Sequence, residues 1–460
     1  MKKEENNFLS KIEDFQNLNF ENNPLNLEEI KIICELIKNS STKLLNLTNN
    51  NLEKKSIRLI NQLLRTNPVL EEINLSSNQL EENDIESLSE SFKINSHLKK
   101  IILSGNNFRE IKKDCFERIF NCSALKEIDL SFSKIGDQAI KNISNALQNN
   151  NSIENISLYS NSIRDDGMRY LSECLNSNSS LKIMDISSNS FGDEGLKYLS
   201  DSLKINSSLV SINLSSHTFK LEAFVYLYEA LKVNNCLKTI NLSSNDIPKE
   251  SLVYLIEVLK VNKSLKSLIF SFNSLGKFDL EEFFESFLVN RSITMLDLSI
   301  NYLRNEPISY LSTMLEKNST LIEIDLSYNL IRNYEISLLS DCLEVNTTLR
   351  KIHLSHNQID EEGYIYLYES LLLNSSLIEI SLQGNLSHPL EEEIQFLVKC
   401  NQEWSPYLHL SLFDEFQDVV FTFLLIIKQF RNIKIPKFVL FEIIKKIKRK
   451  SFRPIWRKTK

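Results

Sequence analysis

Residues 181–208 read LKIMDISSNSFGDEGLKYLSDSLKINSS, and the same pattern returns as LKTINLSSNDIPKESLVYLIEVLKVNKS at 237–264 and LIEIDLSYNLIRNYEISLLSDCLEVNTT at 321–348. The first half of the 181 copy alternates. Leu181, Met184 and Ile186 fall on one side and Lys182, Ile183 and Asp185 on the other, which predicts a short strand. The second half has helical spacing, with Leu196, Leu199 and Leu203 on one face and Asp193 placed to cap the helix start. A single strand-turn-helix unit of this size cannot bury its own apolar face, so the copies are expected to stack and share one continuous core.

Aligned on L-x-x-L-x-L-x-x-N-x-L, copies begin at Thr42, Leu70, Leu98, Leu125, Ile153, Leu181, Leu209, Leu237, Leu265, Ile293, Leu321, Leu349 and Leu377. Every interval is 28 residues except the 27 between Leu98 and Leu125, and a weaker copy, FQNLNFENNPL, begins at Phe15. The array therefore runs from about 15 to 400, with an N-terminal cap holding the degenerate copy over 1–41, repeats over 42–400, and a helical, basic segment over 401–460.

Two asparagine columns accompany a glycine count of only 8. The ninth position carries Asn78, Asn106, Asn161, Asn189, Asn245, Asn273, Asn301, Asn329, Asn357 and Asn385, with Ser133 and His217 as departures. A buried amide there supplies hydrogen bonds where the strand turns away. The second column, three residues before each start, includes Asn39, Asn67, Asn95, Asn262 and Asn346, with Cys122 as its departure. It is expected to close the helix in the left-handed conformation that Asn tolerates. The short interval, Cys122 and Ser133 together predict an irregularity between about 118 and 135, in the turn and not in the strand.

This pattern resembles the leucine-rich repeat superfamily in its 28-residue, ribonuclease-inhibitor-like class, and SNSFGDEGLKYLSDSLKINSSL is similar to the repeats of intracellular receptors and Ran-type GTPase-activating proteins. The resemblance implies an α/β fold: a right-handed leucine-rich repeat solenoid, or horseshoe, with a parallel concave sheet and convex helices. A fold of this kind hosts unrelated partners, so it implies binding without specifying what is bound.

The chain has no GxxxxGK[ST], GxSxG, HExxH or CxxC, so no cofactor is expected and the protein is read as a non-enzyme. His353 and His356, the one close histidine pair, provide too few ligands for a metal. Cys174 and Cys342 fall 21 residues into their copies and read as buried helix residues in a reducing, cytoplasmic setting. The longest apolar run, VVFTFLLII at 419–427, is too short to span a bilayer.

One region of the exposed strand positions departs from serine. Column eight reads Phe272, Ile300, Tyr328 and His356 in successive copies, with Tyr302 and Leu330 in column ten and Asp297 and Asp325 in column five. Aromatic and aliphatic groups beside carboxylates have the composition of a protein contact, and these eight residues are the expected partner-binding surface.

Beyond the array, Trp404 and Pro406 mark a turn, followed by an apolar helix over about 414–431 and a proline-led helix ending near Ile447. From Lys428 onward there are 13 Lys and Arg against Glu442 alone, a net of +12 in a chain of −7, so residues 1–427 carry −19. The run KKIKRKSFRPIWRK has the character of a segment that meets an anionic surface or directs a protein to the nucleus. The helix pair bears a faint resemblance to a SOCS box or F-box-like motif. The reading is therefore a cytoplasmic scaffold that binds another protein; the alternatives are a Ran-type GTPase-activating protein and a ubiquitin-ligase substrate adaptor acting through the C-terminal helices.

Overall fold

The computed structural model describes residues 14–403 apart from 39, 110 and 112. Asn39, residues 1–13 and the whole of 404–460, including the C-terminal helix pair and the basic run, lie outside the described residues.

Each of the fourteen copies contributes a three-residue strand, from Asn17–Asn19 to Glu379–Ser381, and the strands form one parallel sheet in chain order. Pairing advances one repeat at a time, as in Met295↔Glu323 and Asp297↔Asp325. The middle residue of each strand is buried and its neighbours are at least partly open. A helix follows every strand, from eight residues at Lys113–Phe120 to fourteen at Leu390–Glu403. Leu181, Met184, Ile186, Leu196, Leu199 and Leu203 all belong to the core, which runs without a break from Leu18 to Val398. Strands stack at about 4.8 Å and helices at about 8–10 Å, so the stack curves with its sheet on the inside.

The ninth-column amides hold successive copies in register. Asn301 Nδ2 donates to the Phe270 carbonyl of the preceding copy at 3.0 Å. In turn the Asn301 and Leu303 N–H groups donate to Asn329 Oδ1 at 3.0 and 2.9 Å. The same bonds place Asn78 on Leu47, Asn189 on Leu158, Asn245 on Leu214 and Asn329 on Leu298, at 2.8 to 3.1 Å. Each amide thus satisfies irregular backbone on both sides of a repeat boundary.

The second asparagine column works differently from the sequence expectation. Asn67, Asn262 and Asn346 are extended, with φ between −84° and −71°, and not left-handed. The chain leaves each helix straight towards the next strand, and the side chain is what matters. Asn262 Nδ2 donates to the Leu231 carbonyl in the last turn of the preceding helix at 2.7 Å, and Oδ1 accepts from Ser264 and Leu265 N–H at 2.9 and 2.8 Å. The amide caps a helix C-terminus belonging to another copy. Asp193 likewise leaves its own helix uncapped and accepts from the Lys220 N–H of the next copy at 2.9 Å.

The short repeat keeps its strands in register on both sides, Ile101↔Ile128 and Ile128↔Ile156. Counting back from Leu125, the buried residues Cys122, Ile119 and Cys115 take the places of Asn95, Phe92 and Leu88. Counting forward from Leu98, Phe108 stands where Leu80 stands. The missing residue therefore lies between Phe108 and Cys115, upstream of the expected 118–135, where an approach to a helix can shorten without disturbing the strand. The two substituted positions are filled by smaller donors. Cys122 Sγ donates to the Asn95 carbonyl at 3.0 Å and Ser133 Oγ to the Ser131 carbonyl at 2.9 Å.

His217 is a costlier replacement. Its Nδ1 meets the Leu214 carbonyl at 3.1 Å, its ring packs 4.2 Å from Phe191 and 5.0 Å from Phe219, and Nε2 is buried with no partner. Burial pushes its pKa down from 6.5 to about 4, against the pull of its backbone bonds. The folded state therefore resists a proton that the unfolded chain accepts. Its stability contribution is complete above pH 6.5 and is lost as pH falls towards 4, amounting to roughly 3 kcal/mol there. His217→Asn should remove that dependence, so the difference in thermal midpoint between variant and wild type should widen between pH 7 and 4; a constant difference would refute the assignment. A second expectation separates the two roles considered for the capping column. Asn262→Gly should cost roughly 2–3 kcal/mol in denaturant unfolding, because a buried carbonyl and two N–H groups lose their partner, whereas a left-handed role would make glycine harmless.

Candidate functional site

Every copy has a left-handed residue in column eight, one place before the ninth-column amide, and several, among them that of Tyr302, have a second one in column ten. In column eight φ is positive throughout, at Asn22, Asn49, Ser77, Gly105, Phe132, Ser160, Ser188, Ser216, Ser244, Phe272, Ile300, Tyr328, His356 and Gly384. Here the strand ends and the chain must swing towards the helix layer. Small or polar residues and glycine suit this conformation, whereas a bulky or β-branched residue is strained in it by about 1–2 kcal/mol. Phe272, Ile300, Tyr328 and His356 each hold φ at 54°.

Burial does not recover that strain. Phe272 and Tyr328 are 56% and 52% exposed and Tyr302 is 53% exposed, while His356 is exposed and Ile300 and Leu330 are half-buried. The backbone N–H groups of Phe272, Ile300, Tyr328 and His356 donate to the column-seven carbonyls of the next copy at 2.7 to 3.0 Å. The four residues are therefore successive rungs about 4.8 Å apart. At the C-terminal end the Tyr328 and His356 rings stack with centroids 4.1 Å apart and planes 13° from parallel. His356 then lies over Gly384, where an added Cβ would collide with the imidazole. The strip ends there because the following copy has no side chain at that position.

The two aspartates play a part that their sequence position did not reveal. Asp297 Oδ1 accepts from the Ser299 N–H at 2.9 Å and its hydroxyl at 2.7 Å, and Asp325 Oδ1 accepts from the Ser327 N–H at 2.8 Å. Asn213 and Asn241 make the same turn bond in their own copies. Column five thus holds the strand end, and either Asp or Asn serves. Burial pushes the Asp297 carboxyl above its usual range, outweighing its Ser299 bonds, and the neighbouring Asp325 charge adds to the effect. His353 faces the same side, with Nδ1 3.0 Å from Ser381 Oγ and Nε2 3.6 Å from Glu323. His356 is turned into its stack with Tyr328. Among the described residues no three His, Cys, Asp or Glu side chains gather as metal ligands.

Two features of this face escaped the column reading. Phe132, 54% exposed, meets Tyr159 edge-on at 4.7 Å, a second aromatic pair on the same edge. Phe132 occupies column eight and Tyr159 column seven, so adding column seven to the search would have found it. The other is a set of alternating charges across the strands: Lys100 between Glu72 and Glu127 at 4.0 and 2.9 Å, and Lys351 between Glu323 and Glu379 at 3.7 and 3.2 Å.

Residues 177–200, 233–255 and 345–367 match the family model described as Leucine Rich repeat, so the chain carries leucine-rich repeats. No curated protein matches the chain. Among solved structures it is similar to Leiomodin-1 Actin-Binding Site 2 (ABS2), at 19% identity over 29% of this chain and 76% of that one, with a TM-score of 0.26. It is also similar to a structure of the Rad7 and Elc1 complex in yeast, at 17% identity over 72% of this chain and 80% of that one, with a TM-score of 0.47.

Because Ile300 is strained and only half-buried, Ile300→Gly should raise unfolding stability by roughly 1 kcal/mol, measured by denaturant titration. Asp297→Asn should keep the Ser299 bonds and leave the thermal midpoint at pH 7 unchanged or higher, since it removes a charge that burial disfavours. A clear loss of stability in either variant would make these side chains part of the packing.

Proposed function

We propose that the chain is a protein-binding scaffold of the ribonuclease-inhibitor-like class, acting through the strip Phe272, Ile300, Tyr328 and His356 with Tyr302 and Leu330 beside it. The observation that carries this reading is the coincidence of strain and exposure: four successive copies place large side chains where the backbone favours small ones, and leave Phe272, Tyr328 and His356 exposed and Ile300 half-buried. Beyond the Tyr328–His356 stack and the partial burial of Ile300 the fold takes little from them, so their use is sought outside it. Three intervals of about 4.8 Å make a strip about 15 Å long, a dimension suited to an element of another protein. Two rings buried there contribute several kcal/mol at about 25 cal/mol per Å² before association costs.

The scaffold is read as non-catalytic and cytoplasmic. Cys34, Cys115, Cys122, Cys174, Cys236 and Cys342 are free thiols, which supports a reducing compartment. No helix among the described residues is long and apolar enough to cross a membrane.

The test is the double variant Tyr328→Ala with Phe272→Ala. Affinity purification of the full chain from its own cells, read by mass spectrometry, should lose its main protein partner, with binding weakened at least roughly tenfold and the thermal midpoint nearly unchanged. Unchanged binding with a large fall in midpoint would assign the strip to packing instead.

A further inference from the structure

We propose that the strip and the carboxylates beside it form a site for a cationic amphipathic helix of the partner protein. This rests on the strip being the contact surface and adds the chemical class of what it contacts.

The geometry restricts the mode of contact. Every N–H along the strip is already committed to the next copy, so a partner strand cannot add across it. Recognition falls to side chains, along a line that crosses the strands. A length of about 15 Å corresponds to about ten residues of helix at 1.5 Å each. Columns five and eight are three residues apart along the strand, about 10 Å, which is the width of a helix. A helix lying on the strip therefore places one flank over column five.

The charge at that flank is unusual for this face. Several other charges of the sheet are paired: Glu71 sits between Lys43 and Lys99, Lys126 faces Glu154, and Lys351 lies between Glu323 and Glu379. Asp297 and Asp325 are in-register neighbours, and neither makes an ion pair among the described residues. Each directs Oδ1 to its own turn, a task that asparagine performs in some copies and a lone aspartate, Asp129 or Asp185, in others. The turn bond does not require two adjacent carboxylates, and their pairing suits a positive flank on the helix that covers the aromatic strip.

The experiment uses the full chain and a labelled synthetic peptide of leucine and lysine patterned at helical spacing, with a second peptide carrying glutamate in place of lysine, followed by fluorescence anisotropy. The lysine peptide should bind and the glutamate peptide should not. Asp297→Asn with Asp325→Asn should weaken the lysine peptide roughly tenfold. Removing two helix-side carboxylates, Asp166→Asn with Asp201→Asn, should leave binding unchanged. Equal losses from the two charge pairs would mean attraction by net charge alone and would overturn the proposal, as would failure of the lysine peptide to bind or equal binding of the two peptides. If Tyr328→Ala with Phe272→Ala abolishes capture of the natural partner while the aspartate pair has no effect on it, the cationic partner falls and the scaffold reading stands. If neither pair affects capture, both readings fall.

Discussion

Asn301 is bonded in two directions: its side-chain nitrogen donates to the Phe270 carbonyl behind it, and its own backbone N–H and that of Leu303 donate to the side-chain oxygen of Asn329 ahead. Apolar contact is non-directional, and a stack of similar leucine-rich layers has little to resist a small slip. Three-residue strands add few backbone bonds. The amide column supplies direction, because its donor and acceptors fit only when equivalent positions are one full copy apart. The second column repeats the device at the other end of the strand, where Asn262 ties Leu231 to Ser264 and Leu265. The core then fills a register that polar groups have set.

That arrangement also explains why the exposed surface is free to vary. The backbone at column eight is fixed by its own N–H bond and by the amide that follows it, so serine, glycine and tyrosine all adopt nearly the same φ there. Strain at Ile300 or Tyr328 is carried by bonds that do not involve those side chains. A surface can therefore acquire bulky residues over four copies at a modest cost in stability, without any change in the path of the chain.

Much of this was legible in the sequence. The 28-residue interval, the inward leucines and the strip of column eight are properties of spacing, and spacing survives folding unchanged. The conformation of Asn262 was not legible. Asparagine at a helix end suits a left-handed turn and a side-chain cap equally well, and only the neighbouring copy decides between them. The same holds for Asp193 and Asp297, whose acceptors serve backbone that sequence periodicity does not bring into view. The missing residue near Phe108 was misplaced because the chemical substitutions at Cys122 and Ser133 drew attention downstream of the gap.

The unbroken pairing across the short unit bears on how such a chain changes over generations. Each bond between copies spans a fixed offset, as from Asn301 to Phe270 31 residues back, so any excision or duplication of one complete unit rejoins matching donors and acceptors. A change of unit number is therefore nearly silent for the scaffold, and the loss of a single residue is absorbed where the chain approaches a helix. The strip is different: it belongs to four particular units, and inserting a serine-bearing unit among them would split it in two. Selection on binding would then be felt as a ban on recombination inside residues 265–376, while the flanking units remain free to multiply or disappear.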